Sequence, residues 1–151
     1  MNNGCFALVD DEDYERVTQR KWRLHGNPAD KTQYAAAHVR IDGKAKRELM
    51  HRFILQAKPG QTIDHKNRNG LDNRKSNLRY CTLSQNQANT ETRTGSSRFR
   101  GVSWYKPTKK WRVKVGKNGF VGYYSTEEEA ARIYNEKAVK RYGEFATLNH
   151  I

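Results

Sequence analysis

Between residues 62 and 89 the chain leaves itself few ways to fold. Thr62-Ile63-Asp64-His65 reads as a short strand ending on two polar groups. Lys66 to Ser76 follows, an Asn- and Gly-bearing loop that carries Lys66, Arg68, Arg74 and Lys75. Asn77 to Thr82 reads as a second strand. Ser84, with Gln87 three positions on, reads as the capping start of a helix. The order is strand, loop, strand, helix. It gathers one carboxylate (Asp64), one imidazole (His65) and two carboxamides (Asn77, Asn86) in one short segment.

Those groups suit phosphodiester hydrolysis. That reaction needs a base to activate water and a cation to neutralise charge on the phosphate. His65 suits the base, since imidazole titrates near neutral pH. Asp64 offers a hard oxygen ligand, and Asn86 a second without added charge. Magnesium takes one or two protein oxygens and leaves the rest to water and substrate. Asn77 can pin the loop or orient the imidazole. One condition applies: neighbours on a regular strand point to opposite faces, so Asp64 and His65 share a site only if the strand ends or twists there.

The flanks read differently. From Phe6 to Leu55 the chain looks β-rich, with short runs at Phe6–Val9, Trp22–His25 and Tyr34–Ile41, the breakers Gly26, Asn27 and Pro28, and a hairpin signal at Asp42-Gly43. Glu48 to Gln56 reads as either a strand or a short helix. Residues 91–97 read as a linker. Beyond it, Arg98–Tyr105, Lys110–Val115 and Gly119–Tyr124 read as three strands. A helix capped by Ser125 or Thr126 then runs to about Tyr142, with Gly143 as its stop. In Lys110-Trp111-Arg112-Val113-Lys114-Val115 the alternation turns the three cations outward, away from the helix. Arg98 and Arg100 would extend that basic face, and Phe120 stands beside it.

The net charge of +13 and pI near 9.9 point to a polyanion, and both halves share the positive excess. No apolar run reaches membrane-span length. Asp10 to Asp13 is acidic where the apolar part of a signal peptide would sit. Cys5 and Cys81 form no CxxC pair, so no structural zinc is expected, and both read as reduced thiols in a cytoplasmic compartment.

Residues 49–89 resemble the HNH endonucleases, the ββα-metal nucleases, through His51-Arg52, Ile63-Asp64-His65, Asn67, Gly70, Leu71-Asp72-Asn73, Ser76-Asn77-Leu78-Arg79 and Ser84-Gln85-Asn86-Gln87. The resemblance implies His65 as general base, Asn77 in an orienting role, and Asp64 and Asn86 as ligands of Mg2+, with Mn2+ as a substitute. Having Asn86 rather than histidine as the last ligand is typical of the homing branch. Residues 97–148 resemble the plant APETALA2/ethylene-response DNA-binding domain through Arg100-Gly101-Val102, Lys110-Trp111, Gly122-Tyr123-Tyr124, Glu129-Ala130-Ala131, Tyr134 and Leu148-Asn149. This implies duplex DNA contacts by Arg100, Lys110, Arg112, Lys114 and Phe120; Arg98, on the same basic patch, is a further candidate, and Arg68 and Arg74 are candidates in the first module. Ser103 and Tyr105 replace two arginines of the plant first strand, so the plant target sequence does not carry over.

The expectation is an α+β chain: an N-terminal β-rich region and HNH module over 1–92 (core about 49–90), a linker at 93–97, and a three-stranded antiparallel sheet packed on one helix over 98–151. Its function would be metal-dependent nicking or double-strand cleavage of duplex DNA, homing-type or phage-borne, in the cytoplasm of a bacterial or phage-infected cell, with the oligomeric state left open and a monomer favoured. The alternative is a non-catalytic DNA-binding regulator on an HNH scaffold.

Overall fold

The computed structural model describes residues 5–26, 32–89 and 95–151. It shows two compact units, Met1–Thr82 and Leu83–Ile151, and the chain is α+β.

The first unit opens with a helix, α1 (Asp11–Thr18), in the stretch expected to be β-rich. Three acids in its first turn face the positive end of the helix dipole. Two turns give little periodicity to read, and tertiary contacts hold it: Arg16 donates to Asp13 (2.5 Å) and to the Ile54 carbonyl (3.1 Å). Phe6–Val9 is not a regular strand; it makes one parallel bridge, Leu8 with Asp72, and Phe6 stays exposed. The strands β1 (Arg23–His25), β2 (Tyr34–Ile41) and β3 (Lys44–Leu49) form an antiparallel sheet in that order. Asn27 and Pro28 lie outside the described residues. Asp42 and Gly43 both take positive φ (52° and 74°), which a two-residue hairpin turn requires. The stretch from Glu48 to Gln56 holds both a strand and a helix: β3 ends at Leu49, and α2 (Met50–Ile54) starts at once. Antiparallel β4 (Thr62–His65) and β5 (Leu78–Cys81) complete the unit. Val17, Ala35, Met50, Ile54, Ile63 and Leu78 form its core.

The second unit begins with α3 (Leu83–Ala88). This helix starts one residue before Ser84, so Ser84 lies inside it and is not its cap. Three strands follow in order, β6 (Val102–Tyr105), β7 (Lys110–Lys114) and β8 (Phe120–Tyr124), then α4 (Glu127–Tyr142). Thr126 caps α4, its hydroxyl accepting from the Glu129 N–H at 3.2 Å. The core of Phe99, Val102, Val113, Val115, Ala130, Ala131, Tyr134, Ala138 and Tyr142 lies between sheet and helix. Small alanines on α4 let it approach the sheet closely. Residues 90–94, where the expected linker begins, lie outside the described residues. Ser97 is buried; its hydroxyl donates to Glu127 (2.6 Å) and accepts from the Phe99 N–H (3.0 Å).

The first strand of this sheet starts at Val102, not Arg98. Gly101 turns the chain with φ 72°, and a Cβ there would stand 2.2 Å from the Tyr134 ring and 2.6 Å from the Lys114 carbonyl oxygen. Gly101→Ala therefore combines a strained backbone with overpacking and should destabilise the second unit by about 1–3 kcal/mol. Chemical denaturation monitored by tryptophan fluorescence measures this; an unchanged midpoint would count against the packing described.

Candidate active site

β4 and β5 pair in a register that sets Asp64 opposite Arg79 and His65 opposite Leu78. Directly opposed residues share a face. Asp64 therefore leaves the ribbon beside Arg79, while His65 leaves it on the side of the core residue Leu78. The strand stays regular through His65, so the two side chains depart on opposite faces. Both are buried, at 4% and 6% exposure.

Arg79 donates to Asp64 Oδ2 from both Nε (2.9 Å) and Nη2 (2.7 Å). A buried carboxylate without such a partner would be costly. The His65 ring lies 4.9 Å from His51, edge to face, and 5.8 Å from Tyr34. Its Nε2 lies 3.3 Å from Asn73 Oδ1. Burial lowers the His65 pKa, against the opposing pull of Asn73, Asp64 and Asp72. The imidazole is thus kept neutral, the form a base requires. His51 is buried deeper in effect: burial, with His65 and Arg52 adding to it, drives its pKa down to about 3.

The loop between the strands is tied from within. Asn77 donates from Nδ2 to the Asp72 carbonyl (2.8 Å) and to Asn67 Oδ1 (3.0 Å), and its Oδ1 accepts from the Asn67 N–H (3.0 Å). Asn67 donates in turn to Asp72 Oδ2 at 2.9 Å. Asn77 therefore pins the loop. A carboxamide in contact with His65 belongs to Asn73. Arg74 is committed to the Asp72 carboxylate through Nε (2.8 Å) and Nη2 (2.7 Å) and holds that carboxyl below its usual range. Arg68 is exposed, with φ 61°.

The loop is also held from outside. Leu8 donates its N–H to the Leu71 carbonyl, and its carbonyl accepts from the Asn73 N–H, both at 2.8 Å. Asp10 Oδ2 accepts from the Lys75 N–H at 2.7 Å, and Lys75 Nζ pairs with Glu12 (2.5 Å) and Asp13 (3.0 Å). On the opposite flank Gly70 sits so close that a Cβ would meet the Gln33 carbonyl oxygen at 2.3 Å and the Tyr34 ring at 2.7 Å.

A hard, oxygen-coordinated cation suits a carboxylate such as that of Asp64. The tightest acidic group among the described residues lies elsewhere, at Asp10, Glu12 and Asp13, and Lys75 occupies it. Asn86 stands half-buried on α3 in the second unit. Of the expected site residues, the first unit thus holds Asp64, His65 and Asn77, but the condition of a strand that ends or twists at Asp64 is not met, and the Asp64 and His65 side chains leave opposite faces of the ribbon. Sequence reasoning missed Asn73, Tyr34 and Arg79 as neighbours. Arg79 was findable by pairing two four-residue strands, but Tyr34 comes from a distant strand with no local signal.

On the second unit's sheet, Ser103 faces Arg112, Tyr105 faces Lys110, Arg112 faces Tyr123 and Lys114 faces Phe120. These residues form the side away from Val102 and Val113, which are buried toward α4. Arg112 donates from Nε to Ser103 Oγ (3.3 Å), and its guanidinium lies 5.5 Å from the Tyr105 ring centroid. Tyr123 contacts both Tyr105 (5.0 Å) and Phe120 (5.2 Å). Lys110, Arg112, Lys114 and Phe120 are thus on one face. Arg98 and Arg100 are not on β6. Arg98 pairs with Glu128 (3.3 Å), and Arg100 donates to the Tyr134 hydroxyl (2.8 Å) and the Gln87 carbonyl (3.0 Å), a clamp within the unit.

The first unit thus presents a two-stranded ribbon with a buried Asp-His end and a locked Asn-rich loop. The HNH endonuclease model matches residues 48–88. Over 98% of its length the chain is 31% identical to an uncharacterized HNH endonuclease of Acanthamoeba polyphaga mimivirus, covering 76% of that protein. The chain belongs to the HNH endonuclease family, and it is a nuclease. Over 39% of its length it is 37% identical to an AP2-like ethylene-responsive transcription factor of Arabidopsis thaliana, covering 13% of that protein. Over 38% it is 37% identical to an APETALA2-like protein of Oryza sativa subsp. indica, covering 14%. No solved structure matches the chain.

The buried His51 carries a pH prediction. Its folded pKa lies below the unfolded value, so its contribution to stability is full above about pH 6.5 and is lost as pH falls toward about 3. The unfolded chain binds that proton earlier, at up to about 1.4 kcal/mol per pH unit. His51→Phe should flatten the decline of melting temperature across that window. A parallel decline in both proteins would contradict it.

Proposed function

We propose that the chain is a metal-dependent DNA endonuclease of the homing type that hydrolyses one phosphodiester per active site. The observation that carries this reading is the buried Asp64-His65 pair at the end of β4, next to a loop locked by Asn77. In this reading Asp64, with Asn86 as the second oxygen donor the resemblance implies, holds Mg2+ or Mn2+. The cation would supply neutralising charge at the phosphate and leaving oxygen. His65 takes a proton from water, the resulting hydroxide attacks phosphorus, and the P–O3′ bond breaks. The products are 5′-phosphate and 3′-hydroxyl ends. Arg68, exposed on the loop, is placed to meet a phosphate.

The second unit would hold duplex DNA with the outer face of its sheet. Lys110, Arg112 and Lys114 supply phosphate or base-edge contacts, and the Tyr105, Tyr123 and Phe120 rings stiffen the surface between them. The partial likeness to two plant transcription factors supports this assignment.

One observation favours a second reading, a DNA-binding regulator without catalysis: the guanidinium of Arg79 already neutralises Asp64. Supercoiled-plasmid nicking with Mg2+ separates the two. Wild type should nick, EDTA should stop it, and His65→Ala should reduce the rate by about 10²–10⁴-fold. Wild-type inactivity, or an undiminished His65→Ala, favours the regulator. For the sheet, Arg112→Ala/Lys114→Ala should weaken duplex binding at every sequence and lower the salt slope by about 2. An unchanged slope would move the DNA contact elsewhere.

A further inference from the structure

The β2–β3 hairpin changes character along its length. Its near end is packed. Ala35, Ala36 and Ala37 are buried, and the Tyr34 ring lies 5.6 Å from His51 and 5.8 Å from His65. Its far end is open. Pairing sets His38 opposite Arg47, Val39 opposite Lys46, Arg40 opposite Ala45 and Ile41 opposite Lys44. Of the described side chains from 38 to 47, Val39 is half-buried and the rest are exposed. Opposed residues share a face and neighbours alternate, so Arg40 and Arg47 stand on one face and Lys44 and Lys46 on the other. Both faces of this stretch are therefore wet.

A two-stranded ribbon of this kind buries little and is marginal by itself. The core cluster of the first unit holds none of its side chains. Its cations set it apart. Elsewhere in the unit the basic groups are tied to acids: Arg16 to Asp13, Arg74 to Asp72, Lys75 to Glu12 and Asp13, Arg79 to Asp64. Among the described residues, the side chains of Arg40, Lys44, Lys46 and Arg47 have no ion pair and no hydrogen bond. Unneutralised like charges on one ribbon repel each other, and a polyanion relieves that repulsion.

Dimensions select the groove. Paired strands lie about 4.8 Å apart with side chains projecting from both faces. The major groove of duplex DNA, about 12 Å wide, admits such a ribbon, whereas the minor groove, about 6 Å wide, is too narrow. Length sets the distance. His38 lies four residues along the strand from Tyr34 and Arg40 six, which is about 13 Å and about 20 Å at the rise of a strand. At about 3.4 Å per base pair these spans match about four to six base pairs.

We propose that residues 38–47 are a second DNA-binding element, a ribbon that enters the major groove about four to six base pairs from the bond cut and sets Arg40, Lys44, Lys46 and Arg47 on the flanking phosphates. The element is additional to the sheet of the second unit. It rests on the endonuclease reading for the place where the duplex is cut. It also assigns a task to the N-terminal region, which carries no motif of its own.

The test uses the full-length protein and a mixed-sequence DNA duplex in EDTA, where nothing is cut. Arg40→Ala/Arg47→Ala and Lys44→Ala/Lys46→Ala should each lower the salt slope of binding by about 1.8. Lys137→Ala/Lys140→Ala, the same loss of charge on α4, should leave the slope unchanged. The groove is read separately. With Cys5 and Cys81 replaced by serine, a bromoacetyl group tethered to Lys44→Cys should alkylate guanine N7, a major-groove atom. The same group on Lys137→Cys should not. Slopes that fall no further than in the α4 pair overturn the proposal, and so does N7 alkylation from position 44 no greater than from 137. Hairpin variants that weaken binding to duplex RNA but not to duplex DNA overturn it as well. Nicking in Mg2+ without any response to the hairpin variants defeats the ribbon alone. The full hairpin response in a protein that never nicks defeats the endonuclease reading and leaves the ribbon standing.

Discussion

The structure of the first unit depends on one carboxamide. Asn77 closes a half-buried ring of hydrogen bonds with Asn67 and Asp72, and the loop between β4 and β5 takes its shape from that ring. A net hydrogen bond contributes only about 0.5–1.5 kcal/mol, but a buried polar group left without a partner costs about 1–3 kcal/mol. The bonds among Asn67, Asp72 and Asn77 therefore favour this arrangement of the loop. Asp72 is held there by Arg74, the Asn73 N–H is bonded to the Leu8 carbonyl, and His65 meets Asn73 beside it. Chemistry placed on a loop is precise only when the loop is this constrained.

The sequence made the outline of this module legible because its signals are local. Thr62–His65 and the strand after Asn77 are bounded by turn-forming residues, and the Asn and Asp side chains between them bond to backbone a few residues away. Asp42-Gly43 was readable for the same reason: few residue pairs accept two positive φ angles. Three features were not legible. α1 has only two turns and is kept by Arg16 reaching Ile54, a contact 38 residues away. The bridge of Leu8 to Asp72 uses backbone atoms, which no side-chain pattern reveals. And the contact of Asn73 with His65 was not legible, because two asparagines four residues apart look alike in sequence and only the fold of the loop tells them apart.

The second unit shows a division of labour that alternation alone predicts well. Val113 and Val115 turn to α4, and Lys110, Arg112 and Lys114 do not. The same logic fails just upstream, where Arg98 and Arg100 fit a strand pattern but Gly101 bends the chain away. Arg100, half-buried, is then engaged by the Tyr134 hydroxyl and the Gln87 carbonyl. A basic residue near a basic face is not evidence of a DNA contact until its guanidinium is accounted for. Arg74 teaches the same lesson in the first unit, since Asp72 takes both of its arms.

The central claim is that the nuclease centre lies at Asp64 and His65. The most direct measurement is paramagnetic broadening of the histidine ring signals during a Mn2+ titration of the full-length protein. The account predicts that the His65 signals broaden first, ahead of His25, His38 and His150, and that Asp64→Asn abolishes the effect. Broadening that leaves His65 sharp, or that survives Asp64→Asn and centres on Asp10, Glu12 and Asp13, would contradict it.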